Sequence, residues 1–450
     1  MATSLREAIM KLEKKNLVLR IKDPTSPMFE VAFISQKFEK TRAIIFENIE
    51  NFPTFQIVSG IYGDRKRLSI VLDIENGKQI YEKLLYAVKN PVPPKKVNAK
   101  YDTIIRGQNV NLYKLPIPRF YEKDKGPYIT SGIIIAKDTE TGARNASYHR
   151  MTPIDRDKLV VRIVERDLWA FLRKAEENNI ELEAAVVIGV DPATAIAAAT
   201  SLPLYKDELE VANSLLGNKL SVTKGETVNV EYPSNAEIVL EGKFILNKRE
   251  KEGPFTDITG TYDSVRMQPV FKVSAVLMRK NPIFHSILPA GTEHKTLMGL
   301  PRETKIYEFT RQVSVIHDVY LAGWGCGWLE CVISISKRHE DEPIDVGLAA
   351  FAAHPSLKKV ILVDPDINIR NCSDVYWAVL TRAHSVRDYI IIPRGKGSSL
   401  DHSGTPCAKI IIDATIKKQK ELFEKSTIPA TKRALQIIRK LGIDDSHEPN

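Results

Sequence analysis

The period of the apolar positions changes twice along this chain. In "SLREAIMKLEKK" they recur at helical spacing, with Leu5, Ile9 and Leu12 on one face. "NLVLRI", "TRAIIFENI" and "TFQIVSGI" are short β-branched runs that read as strands, and "IENGKQIYEKLLYAVKN" returns to the helical period. Residues 1–100 therefore predict a small α/β unit, bounded by the Pro- and Lys-rich linker "NPVPPKKVNAK". From 101 to 304 the texture is β-rich: "YITSGIIIAKD", "KLVVRIV", "AAVVIGV", "TVNVEYP", "AEIVLEGKFI" and "FKVSAVLMRK" predict a sandwich or barrel. Two helical stretches interrupt it, "RDLWAFLRKAEENN" and "PATAIAAATSL". From 305 to 450 helical "KIYEFTRQV", "PIDVGLAAFAAHPS" and "SDVYWAVLTRAH" alternate with strands "CVISIS", "KKVILVD" and "DYIIIP", the rhythm of a doubly wound α/β unit. The tail "KSTIPATKRALQIIRKLGI" predicts a helix suited to packing on a partner subunit. No internal repeat and no low-complexity segment is present.

Composition narrows the class. The chain has 450 residues, too many for one ordinary core, so two or three domains are expected. Hydrophobic residues make up 43% and charged residues 27%, normal for a soluble globular protein. The net charge of +9 admits nucleic acid, a membrane surface or an anionic small substrate. The basic residues are interspersed with acidic ones, and no RNA-binding aromatic signature, zinc-finger spacing or basic arm occurs, which disfavours nucleic acid. Cys326, Cys331, Cys372 and Cys407 are irregularly spaced with no CxxC pair, as in a reducing cytoplasm. No signal-peptide h-region and no apolar run long enough for a membrane span appear. Abundant Lys, Glu and Ile with few Cys and Met lean towards a thermophile.

Five polar constellations break the apolar texture. Asn145, Ser147, His149 and Arg150 crowd "ARNASYHRMTPIDRDKLVVRIVERD", either as a polar loop capping a strand or as a site needing an amide oxygen and a guanidinium five residues apart. Glu252 precedes Gly253-Pro254, a rigid turn that suits a metal or cation as well as plain solvent. Glu293 and His294 lie in "LPAGTEHKTLMG"; burial would raise the Glu293 pKa and make it a proton donor, whereas a carboxylate complementing a helix dipole is the structural alternative. "AVVIGVDPATAIAAATSLP" runs a strand into Asp191-Pro192 and an Ala-rich helix whose N-terminus would meet an anion or simply pack closely. Lys409 in "AKIIIDAT" is either a phosphate ligand or solvated surface. GxGxxG, GxxxxGK[ST], HExxH and GxSxG are all absent, and the basic, Gly- and Ser-rich "RGKGSSLDHSG" is not a phosphate-binding loop.

Taken together and in order, these stretches resemble the UbiD-type decarboxylases that use prenylated FMN. The Asn145-to-Arg150 spacing, "VVIGVDPA", the "EGPF-D-TG" pattern and "VDPDINIRNCSDVYWAVLTR" carry the resemblance, over about residues 100 to 415. It implies an N-terminal α/β domain, a central split β-barrel that holds the flavin, and a C-terminal α/β domain used in oligomerisation. It further implies a divalent metal, manganese with K⁺ as a further candidate, bridging the flavin phosphate to the protein. Asn145 and Glu252 would be its hard oxygen ligands. The family often has a His as third ligand; here the strand after the arginine offers Glu165 instead. Arg150 would pair with the substrate carboxylate and Glu293 would match the acid/base carboxylate. The resemblance also assigns Ser147, Tyr148, His149, Thr200 and Ser201 to the cofactor and places Lys409 on its phosphate. Leu288 stands where members acting on cinnamic-type acids have a second Glu, and Thr256 where the EGPF motif usually continues with Gly.

The implied reaction is non-oxidative decarboxylation of an α,β-unsaturated acid, the prenylated flavin taking up the electrons left when CO₂ departs. Archaeal members similar to this chain convert trans-anhydromevalonate 5-phosphate to isopentenyl phosphate in isoprenoid biosynthesis, and this is the leading assignment. Decarboxylation of a 4-hydroxy-3-polyprenylbenzoate or another aromatic acid is the alternative. A non-catalytic flavin-binding protein is the alternative of another class, with Arg150 and Glu293 arguing against it. The implied partners are a phosphorylated unsaturated acid, a flavin prenyltransferase supplying the cofactor, and further copies of the chain in a dimer or hexamer.

Overall fold

The computed structural model describes residues 1–75, 77–417, 420–423, 425, 426 and 428–440. Of the expected tail helix, residues 425–443, Thr427 and the last three residues are outside the described set. The N-terminal unit begins with α1 (Leu5–Glu13), started by the Ser4 hydroxyl, which accepts from the Glu7 N–H. Its buried face is Leu5, Ala8, Ile9 and Leu12, the face the sequence period selects. Then follow β1 (Val18–Ile21), α2 (Glu30–Phe38), β2 (Ala43–Phe46), β3 (Gln56–Ser59), α3 (Arg65–Leu72) and α4 (Gly77–Lys89). Helices α2 and α3 have no counterpart in the apolar pattern: α3, "RKRLSIVL", buries Arg67 as well as Leu68, Val71 and Leu72, so its polar letters hide its inner face.

The expected linker is partly a strand. β4 (Lys95–Lys96) pairs with a later strand of the central unit, and β5 (Thr103–Arg106) joins the main sheet. That unit continues through β6 (Ile133–Lys137), β7 (Arg144–Tyr148), β8 (Met151–Asp155), β9 (Lys158–Val161), α5 (Asp167–Glu177), β10 (Glu183–Ile188), α6 (Pro192–Ala199) and α7 (Glu208–Leu215). β11 (Ser221–Lys224), β12 (Glu231–Pro233), β13 (Ile238–Glu252), β14 (Phe255–Thr256), β15 (Tyr262–Asp263), β16 (Arg266–Met278) and β17 (Ile283–His285) complete it. The main sheet runs β7-β6-β10-β13-β16-β9-β8, antiparallel throughout, with β5 also on β16. Its two edge strands, β7 and β8, are consecutive in the chain and joined only by His149 and Arg150. The sheet is thereby bent round on itself into a split barrel, and those two residues span the split.

Both faces of this sheet are covered. Ile134, Ala136, Val186, Ile188 and Leu240 point into one apolar cluster with α5, and Ile133, Ile135, Ala185, Val187 and Val239 into another with α6 and α7. Burial on both sides explains why these strands read as continuous apolar runs rather than alternating ones. Ile283–His285 leaves the barrel and pairs parallel with β3, giving the N-terminal sheet the order β1-β2-β3-β17.

Helix α8 (Thr292–Thr310) carries Glu293 and His294 in its first turn and runs on past residue 304. β18 (Val315–Leu321), β19 (Glu330–Ser336), α9 (Glu342–Ala353), β20 (Lys359–Val363), α10 (Cys372–Arg382), β21 (Tyr389–Gly395), β22 (Cys407–Ala414) and α11 (Lys432–Lys440) follow. Their sheet has the order β18-β19-β20-β22-β21, parallel at its centre and antiparallel at both edges. The cluster with α6 and α7 runs from α1 to β22, so N-terminal unit, barrel and C-terminal unit share one core. Among the described residues no helix is long and apolar enough to cross a membrane.

Candidate active site

The polar crowd around the barrel split resolves into two facing groups. Side chains alternate along β7, so Asn145, Ser147 and His149 share one side and Arg150 departs on the other. On the first side a chain of hydrogen bonds joins Ser147 Oγ to Asn145 Oδ1 (2.9 Å) and to His149 Nε2 (2.9 Å). His149 Nδ1 lies 3.0 Å from the Arg162 carbonyl oxygen. A carbonyl only accepts, so Nδ1 carries the proton, and burial holds the ring neutral with its pKa pushed down to about 4. Asn145 Nδ2 sits 3.1 Å from Glu208 Oε1, while Glu208 Oε2 accepts from the Ala146 N–H at 2.8 Å. Burial lifts the Glu208 pKa to about 8, with the Asp207 and Asp167 charges adding to the rise.

Glu208 was not among the residues singled out from the sequence. Its one cue there is the acidic start of "DELEVANSLL", indistinguishable from an ordinary first-turn carboxylate. Glu165, the expected third ligand, is exposed. Asp167, two residues on and first in α5, is a carboxylate whose charge Glu208 feels after that of Asp207. Among the described residues no three His, Cys, Asp and Glu side chains gather as a ready-made metal centre; the candidate is an amide and two carboxylates.

On the other side Arg150 is held by acids alone. Nε and Nη2 donate to Glu252 Oε1 (2.9 Å) and Oε2 (3.0 Å), Nη1 to Asp257 Oδ2 (3.0 Å), and Nη2 also to Asp263 Oδ2 (2.9 Å). The guanidinium lies 4.6 Å from the Phe255 ring centroid. Glu252 ends β13; the turn at Gly253-Pro254 and the β14–β15 hairpin bring Asp257 and Asp263 back to the same guanidinium. Glu252 is fully buried, whereas the Asp257 side chain keeps 19% of its surface exposed. Glu252 is therefore not placed with Asn145: its oxygens are taken by Arg150 and by the Tyr128 hydroxyl at 3.2 Å. Asp257 is the Asp of the EGPF-D-TG pattern, but nothing in the sequence gives it a role of its own, since a lone Asp in a Thr- and Gly-rich turn carries no period.

Glu293 does not reach Arg150. Its oxygens accept from the Gly60 N–H (2.7 Å), the Tyr62 N–H (2.9 Å) and His285 Nε2 (3.2 Å). Burial opposes its charge, but the His285 interaction and the two backbone donors outweigh it and hold the carboxyl below its ordinary value. The expectation of a raised pKa fails because α8 docks on the loop after β3, whose N–H groups satisfy this carboxylate. The neighbouring His294 faces the other way, accepting from the Ala290 N–H at Nδ1 (3.1 Å) and feeling the charges of Asp257 and Arg150. Lys409 is also elsewhere: on β22, its ammonium is hydrogen-bonded to the Pro355 and Leu357 carbonyls just past α9 and lies 5.1 Å from the Phe351 ring. Asp191 caps α6 itself, accepting from the Thr194 N–H (2.9 Å) and hydroxyl (2.7 Å), so that helix start is already satisfied. Thr200 closes α6, and its hydroxyl donates to the Ile196 carbonyl at 2.8 Å. Ser201 accepts from Arg166 (3.1 Å) and Arg302 (2.9 Å). Tyr148 is half-buried, its pKa raised by burial and by Glu293 and Asp191.

Models of three domains of the 3-octaprenyl-4-hydroxybenzoate carboxy-lyase family match this chain: the N-terminal domain at residues 9–88, the Rift-related domain at 91–292 and the C-terminal domain at 295–414. An anhydromevalonate phosphate decarboxylase of Methanothermobacter thermautotrophicus is 40% identical over 415 residues, 91% of this chain and 96% of that protein. A protein of the same name from Methanocaldococcus jannaschii is 40% identical over 434 residues, 94% of this chain and 100% of the relative. Among solved structures, the UbiD-class enzyme HmfF from Pelotomaculum thermopropionicum in complex with FMN superposes with a TM-score of 0.91 at 38% identity, covering 95% of this chain and 97% of that one. An evolved dimeric form of HmfF in complex with prFMN gives 0.89 over the same shares.

Proposed function

The chain belongs to the 3-octaprenyl-4-hydroxybenzoate carboxy-lyase (UbiD) family, and from that premise we propose that it decarboxylates trans-anhydromevalonate 5-phosphate to isopentenyl phosphate with prenylated FMN and a divalent metal. The observation that carries the reading is the Arg150 guanidinium clamped among Glu252, Asp257 and Asp263 at the barrel split.

The donor set fits a cation. With His149 Nδ1 donating to Arg162, Nε2 needs a donor, and Ser147 supplies its only proton there. Ser147 then has none for Asn145 Oδ1, so the amide turns over, giving Nδ2 to Ser147 and Oδ1 to the Glu208 side. An amide oxygen then faces the Glu208 carboxyl, whose pKa burial lifts to about 8, with the Asp167 charge near it. An oxygen-preferring divalent ion such as Mn²⁺ would take the place of the Glu208 proton and be held by all three. Asn145, Glu208 and Asp167 would hold it, in place of the trio Asn145, Glu252 and Glu165. Ser147 and Ser201 with Arg166 would meet the flavin phosphate on the same side. The prenylated flavin supplies the electron sink that an unsaturated acid lacks.

The residues of the chain do the rest. Glu252 and Asp263 fix the guanidinium, so its fork is preorganised for a carboxylate. The substrate carboxylate competes with Asp257 for Nη1. Asp257 then loses its counter-ion at Nη1, and its exposed edge meets water, the source of the proton it passes on. After CO₂ leaves, Asp257 delivers that proton to the carbon, with His294 beside it. Glu293 fixes the start of α8 rather than moving a proton. The four free thiols agree with a cytoplasmic setting. Leu380, Val386 and Ile391, exposed on the C-terminal unit, support assembly into a homo-oligomer.

The test is reconstitution with prenylated FMN and Mn²⁺, with CO₂ and isopentenyl phosphate followed by mass spectrometry. No product from this acid, with turnover of a 4-hydroxy-3-polyprenylbenzoate, would transfer the assignment to aromatic acids.

A further inference from the structure

Arg166 and Arg302 converge on one hydroxyl. Arg166 Nη1 and Arg302 Nη2 donate to Ser201 Oγ at 3.1 and 2.9 Å. Both lone pairs of that oxygen are then used, and its proton is left to donate away from the two guanidinium groups. Among the described residues neither arginine is hydrogen-bonded to a carboxylate: Arg166 has only the charge of the adjoining Asp167, and Arg302 has the Trp328 ring at 5.8 Å. Burial and the Arg166 charge push the Arg302 pKa down to about 10. Two guanidinium groups sharing one hydroxyl, with Arg302 unpaired by any acid and the O–H free to donate, form the donor set of a dianion site.

We infer that Arg302 binds the phosphate of the substrate and so selects a phosphorylated acid, while Arg166 remains with the flavin phosphate. This rests on the reading of the chain as a decarboxylase of such an acid. Two observations separate the roles. Arg166 adjoins Asp167 in the candidate cation group, so a flavin phosphate there would already have a divalent ion and one arginine to hold it. Arg302 instead projects from α8, the helix that brings His294 to Asp257 and Arg150. The two positions are eight residues apart, roughly 12 Å along the axis at the α-helical rise. That span accommodates a short acid whose carboxylate lies at Arg150 and whose far end carries the phosphate.

The experiment compares wild type with Arg302→Gln, both loaded with flavin, by calorimetric titration with isopentenyl phosphate and with isopentenol. Apoprotein is titrated with FMN and riboflavin in parallel. Wild type should prefer the phosphate over the alcohol. Arg302→Gln should weaken isopentenyl phosphate roughly ten- to a hundredfold, the scale of one charge-assisted hydrogen bond. Isopentenol and FMN should bind it as they bind wild type, the unchanged FMN affinity also showing that the variant is folded. Undiminished isopentenyl phosphate binding overturns the inference, as does a fall in FMN affinity with riboflavin unaffected, which gives the arginine to the flavin. Failure of the wild-type holoenzyme to release CO₂ from the phosphorylated acid would defeat the functional reading instead, and the binding titrations would still decide Arg302.

Discussion

Arg150 grips Glu252 with a two-point fork, Nε to Oε1 at 2.9 Å and Nη2 to Oε2 at 3.0 Å, although 102 residues separate them. The pair closes the barrel split, because Arg150 belongs to the two-residue link between the edge strands and Glu252 to the end of the long strand β13. Glu252→Gln keeps the shape and loses one charge-assisted contact of the fork. Turnover should fall by about a hundredfold or more, the scale of losing an oriented electrostatic contact, with bound flavin and metal unchanged. Flavin absorbance, metal content and kcat measured on the same preparation check this; loss of metal would return Glu252 to the cation group.

Glu208 should govern the metal instead. In metal-free protein its folded pKa, about 8, lies above that of the unfolded chain. The folded state then binds the extra proton between the two values. The associated stability is full below the unfolded pKa and is lost as pH rises through about 8. The thermal midpoint of apoprotein should decline over that window, and Mn²⁺ should restore it while displacing a proton. Glu208→Gln should abolish both the slope and the Mn²⁺ response. A variant that still binds Mn²⁺ at the wild-type level would remove Glu208 from the site.

Asp257→Asn should stop proton delivery to carbon. Expected are loss of product formation and of deuterium incorporation from D₂O, with the Arg150→Lys variant retaining flavin but losing the fork. His294→Asn tests the competitor: if it is inactive while Asp257→Asn exchanges normally, the proton comes from the histidine.

Glu293 should act on stability. Its folded pKa is lowered below the ordinary carboxylate value by His285 and the Gly60 and Tyr62 N–H groups. Its contribution is present above the unfolded pKa and is lost as pH falls through the folded one. Glu293→Gln should cost roughly 2–3 kcal/mol, the range for a buried charged acceptor, and lower the unfolding midpoint at pH 7 more than at pH 4. An unchanged midpoint with abolished proton transfer would reinstate it as the donor.

Lys409→Met should leave flavin affinity unaltered and loosen the C-terminal unit, since the ammonium is bound to two carbonyls at the end of α9. Protease susceptibility near Pro355 and FMN titration read the two effects separately.

The linear chain was sufficient for whatever depends on period and local chemistry. The helical face of α1, the doubly covered strands "GIIIAK" and "AAVVI", and the alternation of helices and strands after residue 305 follow from side-chain spacing alone. The Asn145-to-Arg150 spacing likewise marked the barrel split, because those residues are neighbours on one strand and its turn. What no spacing could supply was which carboxylate meets which partner. Glu208 comes to Asn145 by α7 packing on β7, and Asp257 comes to Arg150 through a turn and a two-stranded hairpin. Glu293 and Lys409 look like chemistry in one dimension, and only the fold shows that distant backbone N–H and C=O groups meet them. The type of a charged residue is local, whereas its pKa and its role depend on the desolvation and donors that distant segments bring to it.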